Sequence, residues 1–141
     1  MMLIKKCKGL DKKIIEEHTK LSKEQKKQYG RLSFIKRPGV KKIVNIFHSN
    51  AVSTQVCRKD ENTEGIYYQV ALINHSCAPN TVINITGERK IKIVALETIK
   101  KGEEVLLNYL PPSGGFAEPL RKVKRQAKLQ SNFHFSCDCK V

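Results

Sequence analysis

The sequence is short of several things that would decide its class at once. Tryptophan is absent and aromatic residues make up 6% of the 141 positions. They do not interleave with the lysines as the stacking platforms of a single-strand nucleic-acid binder would. No apolar run approaches the roughly 20 residues of a membrane span. The opening stretch Met1-Met2-Leu3-Ile4-Lys5-Lys6-Cys7-Lys8 is too short and too broken by lysine for a signal peptide. Glycine never recurs as Gly-x-Gly; Gly9, Gly30 and Gly39 each stand alone. The five cysteines are an odd number, with Cys137 and Cys139 one residue apart. Without a secretory signal a reduced compartment is expected, where such a pair more often binds metal than forms a disulfide.

Positive charge, in contrast, is abundant. The formal net charge is +14, with 14 Lys or Arg against four acids in residues 1–42 and 13 against nine in residues 43–141. The basic first third would attract nucleic acid weakly and without specificity through counterion release. The plainer reading is a solvated, lysine-rich helix face. Leu10, Ile14, His18 and Leu21 recur at helical spacing, predicting an amphipathic helix over 10–21. Ser22 and Gln25 form a capping-box signature that restarts a helix to about Tyr29, where Gly30 can end it. Arg37-Pro38-Gly39 predicts a turn. The apolar run 43–47 is a short strand candidate. Beyond residue 50 the character turns to β, with a mixed apolar run over 67–73. Strands are expected over 81–85 and 90–96 around Thr86-Gly87-Glu88, then over 105–110 after a turn at Lys101-Gly102. Pro111-Pro112-Ser113-Gly114-Gly115 predicts a loop. Pro119 suits a helix start, with Leu120, Val123 and Ala127 as the apolar face.

Three segments carry chemistry. Asn74-His75-Ser76-Cys77-Ala78-Pro79-Asn80 puts two amides, an imidazole and a thiol at the end of a predicted strand; taken alone, it is also an ordinary polar turn. Gly102-Glu103-Glu104-Val105-Leu106-Leu107-Asn108-Tyr109 ends a strand on a tyrosine whose hydroxyl can enter a cavity, or simply rest as a core tyrosine with a wet tip. Phe133-His134-Phe135-Ser136-Cys137-Asp138-Cys139 offers two thiolates to a zinc ion, which takes four ligands with sulfur at about 2.3 Å. Cys77 is the natural third. Cys7 and Cys57 fit no ligand pattern, and His18, His48 and His134 have no partner at ligand spacing. Asp60-Glu61-Asn62-Thr63-Glu64 reads as a solvated loop.

In their order and spacing, Asn-His-Ser-Cys-x-Pro-Asn, Gly-Glu-Glu-x-x-x-x-Tyr and Phe-x-Cys-x-Cys resemble the C-terminal SET and post-SET segments of SET-domain protein-lysine methyltransferases. The version with one motif cysteine and a helical insert is most similar to the SET-and-MYND type and its fungal SET relatives. The resemblance implies an α+β fold, a SET-type β-clip of short curved sheets. A helical insert lies on its N-terminal side, with a C-terminal helix and a truncated post-SET segment at the other end. The expected domains are a basic helical region over 1–42, a SET core over 43–115, and a C-terminal helix with the cysteine segment over 116–141. The 70–74 and 103–109 segments are expected side by side.

The same resemblance implies roles. Asn74 and His75 would contact S-adenosylmethionine, with Ala71 and Ile73 as backbone contacts and Phe135 packed on the adenine. Tyr109 would hold the target lysine amine, Asn50-Ala51-Val52 would line the lysine channel, and Cys77, Cys137 and Cys139 would bind structural zinc. The implied function is donor-dependent methylation of lysine in a histone or other protein, in the nucleus or cytoplasm, without a membrane partner. Two readings of other classes stand beside it: an inactive SET-fold binding module, and a basic nucleic-acid binder resting on charge alone. Methyl transfer from a sulfonium to a neutral amine needs positioning more than acid–base power. The family's Gly-x-Gly hairpin has no counterpart here, and the sequence stops one position short of a fourth zinc cysteine. Both ends are therefore expected to be cut, the zinc site incomplete, and the chain alone inactive until restored at both ends.

Overall fold

A computed structural model describes residues 2–5, 9–53, 63–86, 90–110 and 122–139. The chain is α+β and divides into two compact units, the first comprising Met1–Leu72 and Ile85–Ile91, the second Ile73–Asn84 and Lys92–Val141.

The first unit holds the helices α1 (Leu10–Thr19), α2 (Lys23–Gly30) and α3 (Lys42–Asn50) and the strands β1 (Met2–Lys5), β2 (Val52–Ser53) and β3 (Thr63–Ile66). The strands make one antiparallel sheet, ordered β1-β3-β2. α1 and α2 form where the periodicity puts them. Ser22 caps α2 as its spacing predicts: its hydroxyl accepts from the Gln25 N–H at 3.2 Å, while the Gln25 side chain accepts from the Ser22 N–H at 2.9 Å. The turn at Arg37-Pro38-Gly39 also forms, with Gly39 at φ 71 and the Val40 N–H on the Arg37 carbonyl.

Residues 43–47 are not a strand; they lie inside α3. Val44, Asn45, Ile46 and Phe47 are consecutive and all buried, so the helix is covered on nearly every side. Burial on all sides erases the 3.6-residue signature, and a short apolar run then reads equally well as a buried strand. Phe47, Ile46 and Val44 join Met2, Ile4, Ile14, Tyr29, Leu32 and Ile66 in one buried cluster. Burying a side chain such as Phe47 contributes about 1.5–3 kcal/mol. The one polar atom pointing out of Tyr29 is satisfied, its hydroxyl donating to the Ile43 carbonyl at 2.7 Å. At Gly65 a Cβ would overlap the Leu3 side chain and approach the Met2 carbonyl at 3.2 Å, so β1 and β3 meet closely only because glycine stands there.

The expected strand over 67–73 is also absent. Its middle is a single turn of 3-10 helix, Val70–Leu72, and regular pairing resumes only at Asn74. The second unit contains β4 (Asn74–His75), β5 (Thr81–Ile85), β6 (Ile91–Ala95), β7 (Leu106–Leu107) and α4 (Lys122–Phe133). β5 and β6 form the expected two-stranded ribbon, and Gly87 and Glu88 of the turn expected between them lie outside the described residues. The strand expected over 105–110 is shorter, because only Leu106 and Leu107 find a partner. Within the described part of α4 the apolar face is not the expected one. Val123 is 80% exposed and Ala127 is exposed, whereas Leu129 is fully buried and Arg125, Gln126 and Phe133 are half-buried. Leu120, Pro119, the 111–115 loop, Cys7, Cys57 and 60–62 lie outside the described residues. No helix among the described residues is long and apolar enough to cross a membrane.

Candidate functional site

β4 and β7 run parallel, with Asn74 opposite Leu106 and His75 opposite Leu107. The two motif segments therefore meet as expected. One side-chain amide and one hydroxyl hold this junction. Asn80 donates from Nδ2 to the Glu104 carbonyl at 2.8 Å and accepts the Leu106 N–H on Oδ1 at 2.8 Å. It thus imitates one rung of a β-ladder where no strand is present. Thr81, buried, adds a hydroxyl bond to the Leu106 carbonyl at 2.7 Å. The turn preceding β7 uses Gly102 at φ 93, in the left-handed region that favours glycine.

This junction places Tyr109 beside the end of β4. Its hydroxyl donates to the Ile73 carbonyl at 2.5 Å, and its backbone N–H donates to Nδ1 of His75 at 3.0 Å. Burial, then the Glu104 charge, pushes the Tyr109 hydroxyl above the usual phenol range, so it stays neutral. Four rings gather here. Tyr109 lies 5.2 Å from His75, 5.1 Å from Phe133 and 6.3 Å from Phe135, and Phe135 lies 5.8 Å from His75. Phe133 is a member that sequence reasoning missed; its i+4 relation to the buried Leu129 was the available signal. Asn74 is exposed, its Nδ2 donating to Glu104 Oε1 at 2.6 Å.

The third segment reaches the same place through one reversal. α4 ends at Phe133, and His134 takes φ 58, a left-handed conformation costly for a residue with a Cβ. From there the chain has no regular secondary structure, and exposure alternates: Phe135, Cys137 and Cys139 are half-buried, Ser136 and Asp138 exposed. Gln126 on α4 grips this stretch as Asn80 grips β7. Its Nε2 donates to the Cys137 carbonyl at 2.7 Å and its Oε1 accepts the Cys137 N–H at 3.2 Å. Nothing in the spacing of Gln126 announces this; only the folded chain brings a helix amide opposite this segment.

Cys77, Cys137, Cys139 and His75 present ligand atoms that all lie within 4.8 Å of one another. Cys77 and Cys137 sulfurs are 3.5 Å apart, and His75 Nε2 is 3.3 Å from the Cys77 sulfur. The donor set suits a soft or borderline cation such as zinc, for which thiolate and imidazole are preferred ligands. Burial pushes the Cys77 thiol up to about 11. At Cys139 burial also pushes upward, but hydrogen bonds, led by the Cys77 N–H, outweigh it and the net direction is down. A bound cation would draw protons from all three sulfurs. His134 is not part of the group.

For a methyl donor, the fit rests on the Phe135 ring and the polar end of β4: an aromatic face suits an adenine, and strand-end backbone suits its edge. Of the expected site residues, Ile73, Asn74, His75, Tyr109, Phe135 and the three cysteines lie in the second unit. Ala71 and Asn50-Ala51-Val52 lie in the first, where Asn50 donates to the Ser33 and Ile46 carbonyls at 2.7 and 2.8 Å.

Comparison with known proteins adds an independent line. A family model described as the SET domain matches residues 4–110. Histone-lysine N-methyltransferase SET5 of Candida glabrata is 30% identical over 93 residues, 66% of this chain and 15% of that protein. Protein-lysine N-methyltransferase SMYD4 of Mus musculus is 40% identical over 77 residues, 53% of this chain and 9% of that protein. Histone-lysine N-methyltransferase ASHR1 of Arabidopsis thaliana is 30% identical over 95 residues, 66% of this chain and 18% of that protein. The chain thus spans less than a fifth of the length of these three relatives.

Proposed function

Because the chain belongs to the SET-domain family, we propose that it serves S-adenosylmethionine-dependent methylation of lysine in a protein substrate. The observation that carries the reading is the β4–β7 pairing, which sets the Tyr109 hydroxyl on the Ile73 carbonyl at the strand end. That hydroxyl has spent its proton on Ile73, so its oxygen is left as an acceptor for an amine N–H. A lysine amine, with an ordinary pKa of about 10.4, must lose a proton before attack. The ring-lined surroundings of Tyr109 favour the neutral amine over the ammonium. When bound, S-adenosylmethionine supplies an electrophilic methyl group.

In this reading Phe135 takes the adenine, and Asn74 with the backbone of Ile73 and His75 takes the rest of the donor. Cys77, Cys137 and Cys139 hold a structural zinc that fixes the 135–139 segment, and with it the Phe135 ring.

The test joins a donor-binding titration to a methyl-transfer assay on basic protein substrates. Tyr109→Phe should lower turnover by about 100-fold, the scale of a misplaced reacting group, with donor affinity nearly unchanged. Phe135→Ala should weaken donor binding by about 1–3 kcal/mol, the range for a base stacked on an aromatic ring. Donor binding without transfer in the full-length protein, or no donor binding at all, would overturn the enzyme reading in favour of a SET-fold binding module.

A further inference from the structure

We propose that His75 serves the thiol group as an N–H donor and not as its fourth ligand, tying the sulfurs to the backbone of Tyr109. The proposal rests on the reading that Cys77, Cys137 and Cys139 hold a metal. Distance alone suggests the opposite, since His75 Nε2 is 3.3 Å from the Cys77 sulfur and all four groups lie within 4.8 Å of one another.

The proton count decides it. The Tyr109 backbone N–H points at Nδ1 of His75 from 3.0 Å. A backbone amide nitrogen can only donate, so Nδ1 must offer its lone pair, and in a neutral imidazole the proton then sits on Nε2. A metal on Nε2 would force that proton onto Nδ1, leaving two N–H groups facing each other. Metal-bound histidines have the reverse arrangement, giving their outer N–H to a carboxylate, a carbonyl or water.

The other sulfurs support the assignment, for each has an N–H of its own. Cys139 accepts from the Cys77 backbone at 3.2 Å, and Cys137 accepts from Gln126 Nε2 at 3.3 Å. With His75 Nε2–H on Cys77, the three sulfurs form a set in which every thiolate receives at least one donor, the pattern that stabilises charge on sulfur. His75 is then a positioning residue. It links the metal-holding sulfurs to the Tyr109 backbone through one rigid ring, and the fourth metal position falls to a group outside these four.

The experiment uses the full chain with 15N-labelled histidine, reduced, first metal-free and then loaded with 113Cd. The His75 resonances are those missing from His75→Gln. Expected in both states are a protonated Nε2 and a bare Nδ1, with no one-bond coupling between cadmium and His75. A cadmium–nitrogen coupling, or a proton on Nδ1, would overturn the proposal. Zinc affinity provides the second measurement. His75→Gln keeps an amide N–H within reach of Cys77 and should stay within about threefold of the parent, while His75→Ala should lose about 10–100-fold. Equal losses in the two variants, or none in either, would count against the donor role. If the parent takes up neither zinc nor cadmium, the metal reading fails, and the metal-free tautomer still decides the role of His75.

Discussion

The two units are held by different forces. The first buries a continuous cluster of nine apolar or aromatic side chains, including Phe47, Ile14 and Ile46 at no more than 1% exposure. In the second, the described residues bury only Leu107, Leu129 and Thr81. The paired strands β4 and β7 that carry its motifs are two residues long, and polar side chains do the work of absent neighbours: Asn80 completes β7, Gln126 completes Cys137, and a histidine ring spans Tyr109 and Cys77. Apolar burial is insensitive to direction, whereas each clamp needs donor and acceptor within a few tenths of an ångström. The first unit is thus suited to stability, and the second to fixing the positions of particular groups.

Truncating the apolar cluster should have the largest effect. Phe47→Ala is expected to cost about 3–5 kcal/mol, read by chemical denaturation and by faster amide exchange in α3; a loss below about 1 kcal/mol would break the contrast. Next comes the clamp. Gln126→Ala leaves the Cys137 N–H and carbonyl without their partner and should cost about 2 kcal/mol. Exchange of the Cys137 amide should accelerate, whereas Lys124→Ala, an exposed neighbour on the same helix, should change little.

How legible each unit was follows the same division. α1 and α2 could be read from the sequence because their signals are local: Leu10, Ile14 and His18 at helical spacing, and Ser22 with Gln25 at three. α3 could not, since Asn45 is buried beside Ile46 and Phe47, and a helix covered on all sides shows no polar face. β1 gave no usable pattern, being four residues that become a strand only by pairing with β3. In the second unit the motifs predicted that Asn74 and Tyr109 would meet, and that three cysteines would converge. Gln126 stayed hidden, because its partner is set by the turn of a helix and not by spacing in the chain, whereas Phe133, four residues after Leu129, left a spacing signal that went unused. Nor did the sequence show that both ring nitrogens of His75 are engaged within the protein.

Two smaller effects sharpen the picture. His134 holds a left-handed conformation, so His134→Gly should raise stability by about 0.5–1 kcal/mol once the greater freedom of unfolded glycine is subtracted, as read from the denaturation midpoint. In the first unit, burial, then the charge of Lys26, lowers the His18 pKa from the ordinary 6.5. The unfolded chain therefore takes up a proton first as pH falls through 6.5, and His18 draws stability down from that point until the folded ring also titrates. NMR titration should give His18 a midpoint below 6.5, and His18→Gln should flatten the acid side of the stability profile. A midpoint at or above 6.5 would reverse the sign.

The alternation after His134 couples two tasks through parity. Phe135, Cys137 and Cys139, separated by even steps, are all half-buried, and their exposed neighbours Ser136 and Asp138 occupy the odd ones. A single residue inserted between the adjacent His134 and Phe135 would turn all three outward together, while two residues would restore their side and only lengthen the path. Over evolutionary time, then, the aromatic face and the sulfurs cannot drift apart one residue at a time: length changes at this hinge are tolerated in pairs or cost both groups at once.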